Sequence, residues 1–168
     1  MRKIVKEDLL GFALPALIVY PAGAAVTVWD LVVRLEGLGH VSSQSLNLLS
    51  LRGIIGLALV ASGLVLNLVA AGTLRRFYSS TLIIRSGHRL ITHGVYRFTR
   101  HPIYLGLLMV SIGMPVAVSS LYGLLIMLLL IPIVLNRIRM EERMLIGEFG
   151  DEYRAYQRAT KKLFPFIY

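Results

Sequence analysis

Long apolar segments constrain this chain more than any other feature. Residues 9–29 and 46–71 each provide the roughly 20 residues that a helix needs to cross a bilayer. Two shorter segments, residues 103–118 and 121–135, are separated by a pair of serines. Because 56% of the 168 residues are hydrophobic and only 16% are charged, the chain cannot cover a water-soluble globule. The sequence therefore predicts an all-α polytopic membrane protein.

The segment lengths predict about four transmembrane helices, the last two forming a short helical hairpin. At about 1.5 Å per residue these two would span only about 22–24 Å of a hydrocarbon core that is about 30 Å thick. They are either two short spans or a re-entrant hairpin. Residues 73–101 then form a loop, and apolar residues at offsets of three and four predict a C-terminal helix over 136–160. The whole chain, 1–168, is predicted as one domain, with two N-terminal membrane helices in 1–72 and a functional core in 73–168.

The N-terminus resembles a secretory signal, with basic residues, an apolar run and a small-residue site. Its apolar character continues to residue 33, which predicts a first membrane helix rather than a cleaved peptide. Residues 73–101 contain six arginines and no acidic residue, so the positive-inside rule predicts that this loop and both termini are cytosolic. The membrane would be the cell membrane of a prokaryote or the endoplasmic reticulum of a eukaryote.

Charge and composition exclude several functions. The net charge of +9 flanks apolar spans, which is typical of topology signals and of contact with anionic lipid headgroups rather than of nucleic-acid binding. The chain has no cysteine and therefore no disulfide, thiolate nucleophile or cysteine-ligated metal. Three histidines lie within residues 88–101, but no His-Glu-x-x-His pattern accompanies them, so no metal is expected. Phosphate-binding glycine motifs are also absent from the sequence.

The first candidate site is the run Arg100-His101-Pro102, followed by Tyr104. Proline favours the first turn of a helix, and the N-terminus of a helix carries a partial positive charge. Cations there are unfavourable by up to about 1 kcal/mol each, so the arrangement predicts an anion held at the helix mouth. The alternative is a topology anchor with Tyr96 and Tyr104 as interfacial aromatic residues.

The second candidate site lies where the fourth apolar segment ends. Arg137, Glu141 and Glu142 follow one another there, and on a helix the two glutamates point about 100° apart. One glutamate can therefore face the first site while the other faces water. The alternative is a solvated helix with pairing of Arg137 with Glu141 and of Arg139 with Glu142. Such a solvated surface is assigned to Glu148, Asp151, Glu152, Arg154 and Arg158.

Over residues 75–165 these motifs resemble the isoprenylcysteine carboxyl methyltransferases and the related phospholipid N-methyltransferases. The matching stretches are HRLITHGVY from His88, RHPIYLG from Arg100, RIRMEE from Arg137 and FGDEYRAY from Phe149. Val95 departs from the family, which commonly has proline there, and the chain lacks the extra helices of eukaryotic members.

The resemblance implies a membrane methyltransferase with S-adenosylmethionine held between the hairpin and the cytosolic tail. It also implies that the anion at the cationic helix mouth is the carboxylate of this cofactor, whose ammonium would meet a glutamate. The cofactor-binding residues that it implies are His88, Leu90, Tyr96, Arg100, His101, Pro102, Tyr104 and Glu142. The acceptor would be lipophilic and would enter from the bilayer, as a prenylcysteine or a lipid-like molecule does.

Mechanism depends on the acceptor. A carboxylate is already ionised at pH 7, so its methylation needs positioning and no general base. Arg137 is the predicted anchor for that carboxylate. A lipid amine must instead arrive unprotonated, with Glu141 or a histidine as the predicted base. Three alternatives stay open: phospholipid amine methylation, a sterol-reductase-like enzyme that uses NADPH, and a non-enzymatic protein that binds anionic lipids.

Overall fold

The computed structural model describes residues 9–35, 48–74 and 90–164, and these residues are mainly helical. A π-helical turn, Leu9–Ala13, leads into α1, and a 3₁₀ turn, Gly94–Arg97, precedes α3. The α-helices are α1 (Leu14–Leu35), α2 (Leu51–Leu74), α3 (Pro102–Ala117), α4 (Leu121–Leu128) and α5 (Leu130–Ala159). Of these described parts, three helical stretches are long and apolar enough to cross a membrane, at 11–35, 51–74 and 121–159, and α3 is shorter. The predicted all-helical membrane fold is confirmed.

Helices α2 and α3 pack antiparallel along glycines spaced seven residues apart. A Cβ added to Gly56 would lie 2.3 Å from the backbone nitrogen of Ala117, and one added to Gly63 would lie 2.7 Å from the carbonyl oxygen of Gly106. Such distances leave no room for a side chain, so the two backbones touch directly. Close approach at small residues is how membrane helices associate, because lipid provides no hydrophobic driving force between them.

The α3–α4 connection is a tight turn held by the end of α1. Ser119 has a positive φ of 57°, and Ser120 caps α4 by accepting a hydrogen bond from the Gly123 N–H at 3.1 Å. The Ser120 hydroxyl donates to Asp30 Oδ2 at 2.5 Å, and Arg34 Nη2 donates to the Ser119 carbonyl at 3.2 Å. The predicted break between the last two apolar segments is confirmed at these serines.

Helices α4 and α5 follow one another with a break at Leu129. Pro132 is the cause, because proline has no N–H for the carbonyl of Leu128 and its ring crowds that carbonyl. Together the two helices cover the 39 residues Leu121–Ala159, or roughly 58 Å at 1.5 Å per residue. That length is nearly twice the hydrocarbon thickness. The apolar part ends near Leu135, so the charged second half of α5 extends beyond the membrane.

The C-terminal helix changes direction at Gly150. The C-terminal helix predicted over 136–160 is present within α5, and it is kinked at Gly150, which has φ 52° and ψ −121°. Left-handed φ values are easily adopted only by glycine. After the kink the chain turns back, so that Leu163 joins the core formed by Leu105 and Leu108 of α3 and by Leu130, Val134 and Ile138 of α5.

Candidate active site

The most strongly paired group is the carboxylate of Glu142 on α5. Arg100 Nε donates to Glu142 Oε1 at 2.9 Å, and His101 Nε2 lies 3.4 Å from the same oxygen. Lys162 Nζ lies 3.5 Å from Oε2. Burial of this carboxyl disfavours its ionisation, but the hydrogen bonds and charges of His101 and Arg100 outweigh burial and lower the pKa of Glu142 from 4.5 to about 2. Glu142 is therefore ionised throughout the physiological pH range.

Arg100 also ties the C-terminal segment to the start of α3. Its Nη1 donates to the carbonyl of Gln157 at 3.0 Å and to the carbonyl of Thr160. Carbonyls at the end of a helix lack partners within the helix, and the negative end of the dipole attracts a cation. The Arg100 backbone N–H donates to the Lys161 carbonyl at 2.9 Å, and the Thr99 hydroxyl donates to the Leu163 carbonyl at 2.8 Å. The segment 160–163 is thus fixed against residues 99–100.

The structure places an anion at the mouth of α3. Pro102 begins that helix and His101 precedes it as the N-cap residue. The negative charge that the cations of this stretch require is present as the side chain of Glu142. The alternative pairing of Glu142 with Arg139 is wrong, because Arg139 is exposed and the Glu142 carboxylate faces Arg100 and His101.

A second polar group joins Arg137, Tyr104 and Glu141. Arg137 Nε donates to Tyr104 Oη at 3.1 Å, and Tyr104 Oη donates to Glu141 Oε2 at 2.8 Å. Arg137 is only 3% exposed. The rings of Tyr104 and His101 are 5.8 Å apart, so this group lies beside the Glu142 cluster. The Tyr104 phenol thus bridges the Arg137 guanidinium and the Glu141 carboxylate, close to the point where α5 leaves the apolar region.

Two tyrosines after the Gly150 kink complete the site. Tyr156 Oη donates to the Tyr96 carbonyl at 2.6 Å, and burial raises the pKa of Tyr156 to about 12. Tyr153 is 1% exposed, and its hydroxyl has no hydrogen-bond partner among the residues that the structure describes. Burial first, and then the charge of Glu142, raises the pKa of Tyr153. An unpartnered buried hydroxyl next to a charged cluster is a donor available to a ligand.

Most of the predicted site residues therefore lie together. Arg100, His101 and Glu142 form one group, and Arg137, Tyr104 and Glu141 form the other. Pro102 is buried in the first turn of α3 and lies between His101 and Tyr104 in the sequence.

Three further residues were predicted for the site. Tyr96 is buried in the 3₁₀ turn, Leu90 is half-buried at the start of the described segment 90–164, and His88 lies outside the described residues. Among the described residues no group of three potential ligands for a metal is present.

Sequence reasoning missed Lys162 and Tyr153 as members of the site. Tyr153 belongs to a helical pattern and to the FGDEYRAY motif, and neither signal says that the residue is buried within electrostatic reach of Glu142. Lys162 lies 20 residues after Glu142, and only the kink at Gly150 brings it back. A glycine inside an otherwise periodic pattern is the one sequence signal for that reversal.

Fold and site together define a class: a polytopic helical membrane protein with a buried charged cluster where its last spans leave the bilayer. Comparison with known proteins gives the family. Residues 54–147 match the model of the isoprenylcysteine carboxyl methyltransferase (ICMT) family. This match covers more than half of the chain, so the chain belongs to the ICMT family, and the resemblance predicted from the motifs is confirmed.

Individual relatives agree with this assignment. The chain is 36% identical over 116 residues to a probable protein-S-isoprenylcysteine O-methyltransferase of Oryza sativa subsp. indica, covering 67% of this chain and 61% of the relative. It is 39% identical over 77 residues to methanethiol S-methyltransferase 1 of Bradyrhizobium diazoefficiens, covering 46% and 26%.

A solved structure of the eukaryotic intramembrane Ras methyltransferase ICMT superposes with a TM-score of 0.69 at 28% identity. The superposition covers 88% of this chain and 53% of that one. The chain thus spans little more than half the length of these isoprenylcysteine methyltransferases.

Proposed function

We propose that this chain is a membrane methyltransferase that uses S-adenosylmethionine and O-methylates a carboxylate on a lipophilic acceptor such as a prenylated cysteine. The observation that carries the proposal is the paired arrangement of the two polar groups. One group contains Arg100 and Glu142. The other contains Arg137 and lies beside the first group at the membrane boundary. Family membership supports the same reaction class, since relatives carry the name protein-S-isoprenylcysteine O-methyltransferase.

The described residues fit the proposed cofactor. The Tyr153 hydroxyl is a buried donor without a partner among these residues, and it lies within electrostatic reach of Arg100, Glu141 and Glu142. S-Adenosylmethionine carries a carboxylate, an ammonium and an aromatic base. A cation and a hydroxyl can bind the carboxylate of the cofactor, a protein carboxylate can bind its ammonium, and a tyrosine ring can stack on its aromatic base.

The residues proposed to hold the cofactor are His88, Leu90, Tyr96, Arg100, His101, Pro102, Tyr104 and Glu142. When bound, S-adenosylmethionine supplies a methyl group activated by a positively charged sulfur. Arg100 keeps the Glu142 carboxylate oriented and joins the C-terminal segment to the same place. Buried charges that are fixed in this way act without reorganisation, which makes them effective in positioning a ligand.

In the proposed mechanism Arg137 binds the acceptor. A carboxylate needs no deprotonation at pH 7, so the chain must desolvate it and align it with the methyl group. The Arg137 guanidinium is oriented by its hydrogen bond to Tyr104, whose hydroxyl is itself fixed by Glu141. Because Arg137 is buried at the end of the apolar part of α5, a lipophilic acceptor reaches it with its tail still in the bilayer.

An amine acceptor is the second candidate. The hydrogen bond from Tyr104 to Glu141 places a carboxylate at 2.8 Å from the phenol, and this pair can accept a proton from an ammonium group. The same geometry would then N-methylate a phospholipid amine, with Glu141 as the base. Methylation that rises as the acceptor amine is deprotonated would favour this candidate over carboxylate methylation.

The proposed orientation follows from charge. Residues 73–101, which carry six arginines and no acidic residue, and both chain termini are proposed to be cytosolic, where S-adenosylmethionine is present. The apolar helices show an integral membrane protein. Cysteine residues introduced one at a time into the cysteine-free chain and labelled from each side of the membrane would test this orientation.

Calorimetric titration of the detergent-solubilised protein tests the cofactor. We expect binding of S-adenosylhomocysteine and no binding of NADPH. The opposite result would favour a sterol-reductase-like enzyme, and binding of neither would favour a lipid-binding protein without catalysis. Arg100→Ala and Glu142→Ala should each weaken S-adenosylhomocysteine binding at least tenfold, and unchanged affinity in both would refute the proposed pocket.

Tyr153→Phe gives a sharper test, because it removes one oxygen atom. Its hydroxyl has no partner among the described residues, so we expect unchanged or higher thermal stability together with about 3- to 30-fold weaker S-adenosylhomocysteine binding. Tyr122→Phe is the matched control, since Tyr122 is 70% exposed. Equal affinity of the wild type and Tyr153→Phe would remove Tyr153 from the pocket.

A further inference from the structure

The π-helical turn Leu9–Ala13 connects the N-terminal helix to the candidate active site. Asn136 Nδ2, on α5, donates to the Gly11 carbonyl at 3.2 Å. A Cβ added to Gly11 would lie 2.7 Å from that nitrogen, which is the far end of the Asn136 side chain, so a larger residue at position 11 would displace it. In an α-helix the Gly11 carbonyl would accept from residue 15, but Pro15 has no N–H, and here the side chain of Asn136, next to Arg137, donates to it instead. The turn is thereby fixed in register with the start of the charged half of α5.

The Phe12 ring, in the same turn, contacts two residues of the candidate active site. The guanidinium carbon of Arg137 is 5.0 Å from the centroid of the Phe12 ring, within the range of a cation–π interaction. The same ring meets Tyr104 edge to face, with centroids 6.5 Å apart and planes at 75°. Phe12 thus contacts both Arg137 and the phenol that receives the Arg137 hydrogen bond.

We propose that Phe12 is a positioning residue for acceptor recognition: it fixes the plane of the Arg137 guanidinium so that the arginine is ready to bind the acceptor carboxylate. The proposal rests on the proposed function. Two of its contacts orient the planar guanidinium, namely the hydrogen bond from Nε to the Tyr104 hydroxyl and the position of its central carbon over the Phe12 ring. A guanidinium held in one orientation binds a carboxylate better, because less rotational freedom is lost on binding.

Phe12 also lies outside residues 54–147, the part of the chain that the family model matches. Arg137, Tyr104 and Glu141 all lie inside it. The N-terminal helix therefore adds an element to the acceptor site from beyond the matched region. This division assigns acceptor selectivity partly to the N-terminal segment, while the proposed cofactor residues Arg100, His101 and Glu142 lie inside the matched region.

The test measures steady-state kinetics with N-acetyl-S-farnesylcysteine as the acceptor and S-adenosylmethionine as the donor. Phe12→Leu keeps an apolar side chain but loses the ring. We expect the KM for the acceptor to rise about 3- to 30-fold, with kcat and the KM for S-adenosylmethionine changed less than twofold. Phe12→Trp keeps an aromatic face and should stay within threefold of the wild type. Leu17→Ala, at a position that is 70% exposed on the same helix, is the control.

A merely structural role would give a different pattern. It would lower kcat and thermal stability together and would not be rescued by tryptophan. A double-mutant cycle with Arg137→Gln separates the cases further, because Phe12→Leu should have little additional effect on acceptor KM once the guanidinium is gone. Additive effects, or an unchanged acceptor KM in Phe12→Leu, would overturn the role of Phe12.

Failure of the proposed function gives yet another result. A wild-type chain that transfers no methyl group to the farnesylcysteine carboxylate overturns the carboxylate reaction, and the positioning role with it. A wild-type chain that transfers the methyl group while the Phe12 and Arg137 variants act additively overturns only the role of Phe12. The carboxamide of the same acceptor should not be methylated by any variant.

Discussion

Replacing Glu142 with glutamine should destabilise the protein in a way that depends on pH. The pKa of Glu142 lies at about 2 instead of 4.5, because hydrogen bonds and charges from His101 and Arg100 outweigh burial. A pKa difference of one unit corresponds to about 1.4 kcal/mol, so the ionised carboxylate contributes about 3 kcal/mol to stability at neutral pH. Glutamine fills the same space but cannot neutralise the cations around it.

The expected change in melting temperature follows from this value. For a protein of this size 1 kcal/mol shifts Tm by about 2–4 °C, so Glu142→Gln should lower Tm by about 6–12 °C at pH 7. The measurement is thermal unfolding of the purified protein in detergent. Asp151→Asn is the matched control on the same helix, because Asp151 is almost fully exposed and its pairing with Arg154 adds little stability.

The pH dependence provides the refuting result. A carboxyl whose pKa is lowered by folding stabilises the protein above its unfolded pKa, and this contribution is lost as the pH falls towards the folded pKa. The contribution of Glu142 should therefore fall from about 3 kcal/mol at pH 7 to about 1.5 kcal/mol at pH 3. The Tm difference between the wild type and Glu142→Gln should halve over this range. A difference below 2 °C at pH 7, or one that stays constant down to pH 3, would refute the reasoning.

Three further predictions concern the elements that build the site. Arg100→Lys keeps the charge but loses the forked hydrogen bonds to Glu142 and to the tail carbonyls, so S-adenosylhomocysteine titration should show at least tenfold weaker binding. Gly150→Ala should lower stability by about 1–2 kcal/mol in thermal unfolding, whereas Gly147→Ala, also in open space but with ordinary helical φ, should not. Ser120→Ala removes the cap of α4 and should cost about 1 kcal/mol, and a stability equal to that of the wild type would refute the capping role.

Hydropathy was sufficient to predict the membrane class and the starts of α3 and α4. The predicted third apolar segment starts at residue 103 and α3 begins at Pro102, since proline both ends the preceding turn and favours the first turn of a helix. The fourth segment begins at residue 121, where α4 begins. These bounds are local, because they depend on the polarity and backbone chemistry of adjacent residues, and a sequence displays both directly.

The reversal at Gly150 was beyond such local reasoning. Gly147 and Gly150 both interrupt the same helical pattern, and only one of them has a positive φ. The difference arises from tertiary structure, because the chain after the kink packs Leu163 into the core and bonds residues 160–163 to Thr99 and Arg100. Local propensity assigns the same cost to both glycines and therefore cannot choose between them.

Electrostatics predicted the kind of group at the helix mouth but not its identity. Cations at the positive end of a helix dipole each cost up to about 1 kcal/mol at exposed positions, so Arg100 and His101 require a nearby anion. The structure supplies Glu142, 41 residues after His101 in the chain. Its carboxylate accepts a hydrogen bond from Arg100 and lies 3.4 Å from His101 Nε2, so it supplies the negative charge that this stretch requires. Glu142 occupies this position, and the buried Tyr153 hydroxyl still has no hydrogen-bond partner among the described residues. Removing that hydroxyl therefore tests ligand binding without a matching loss of stability.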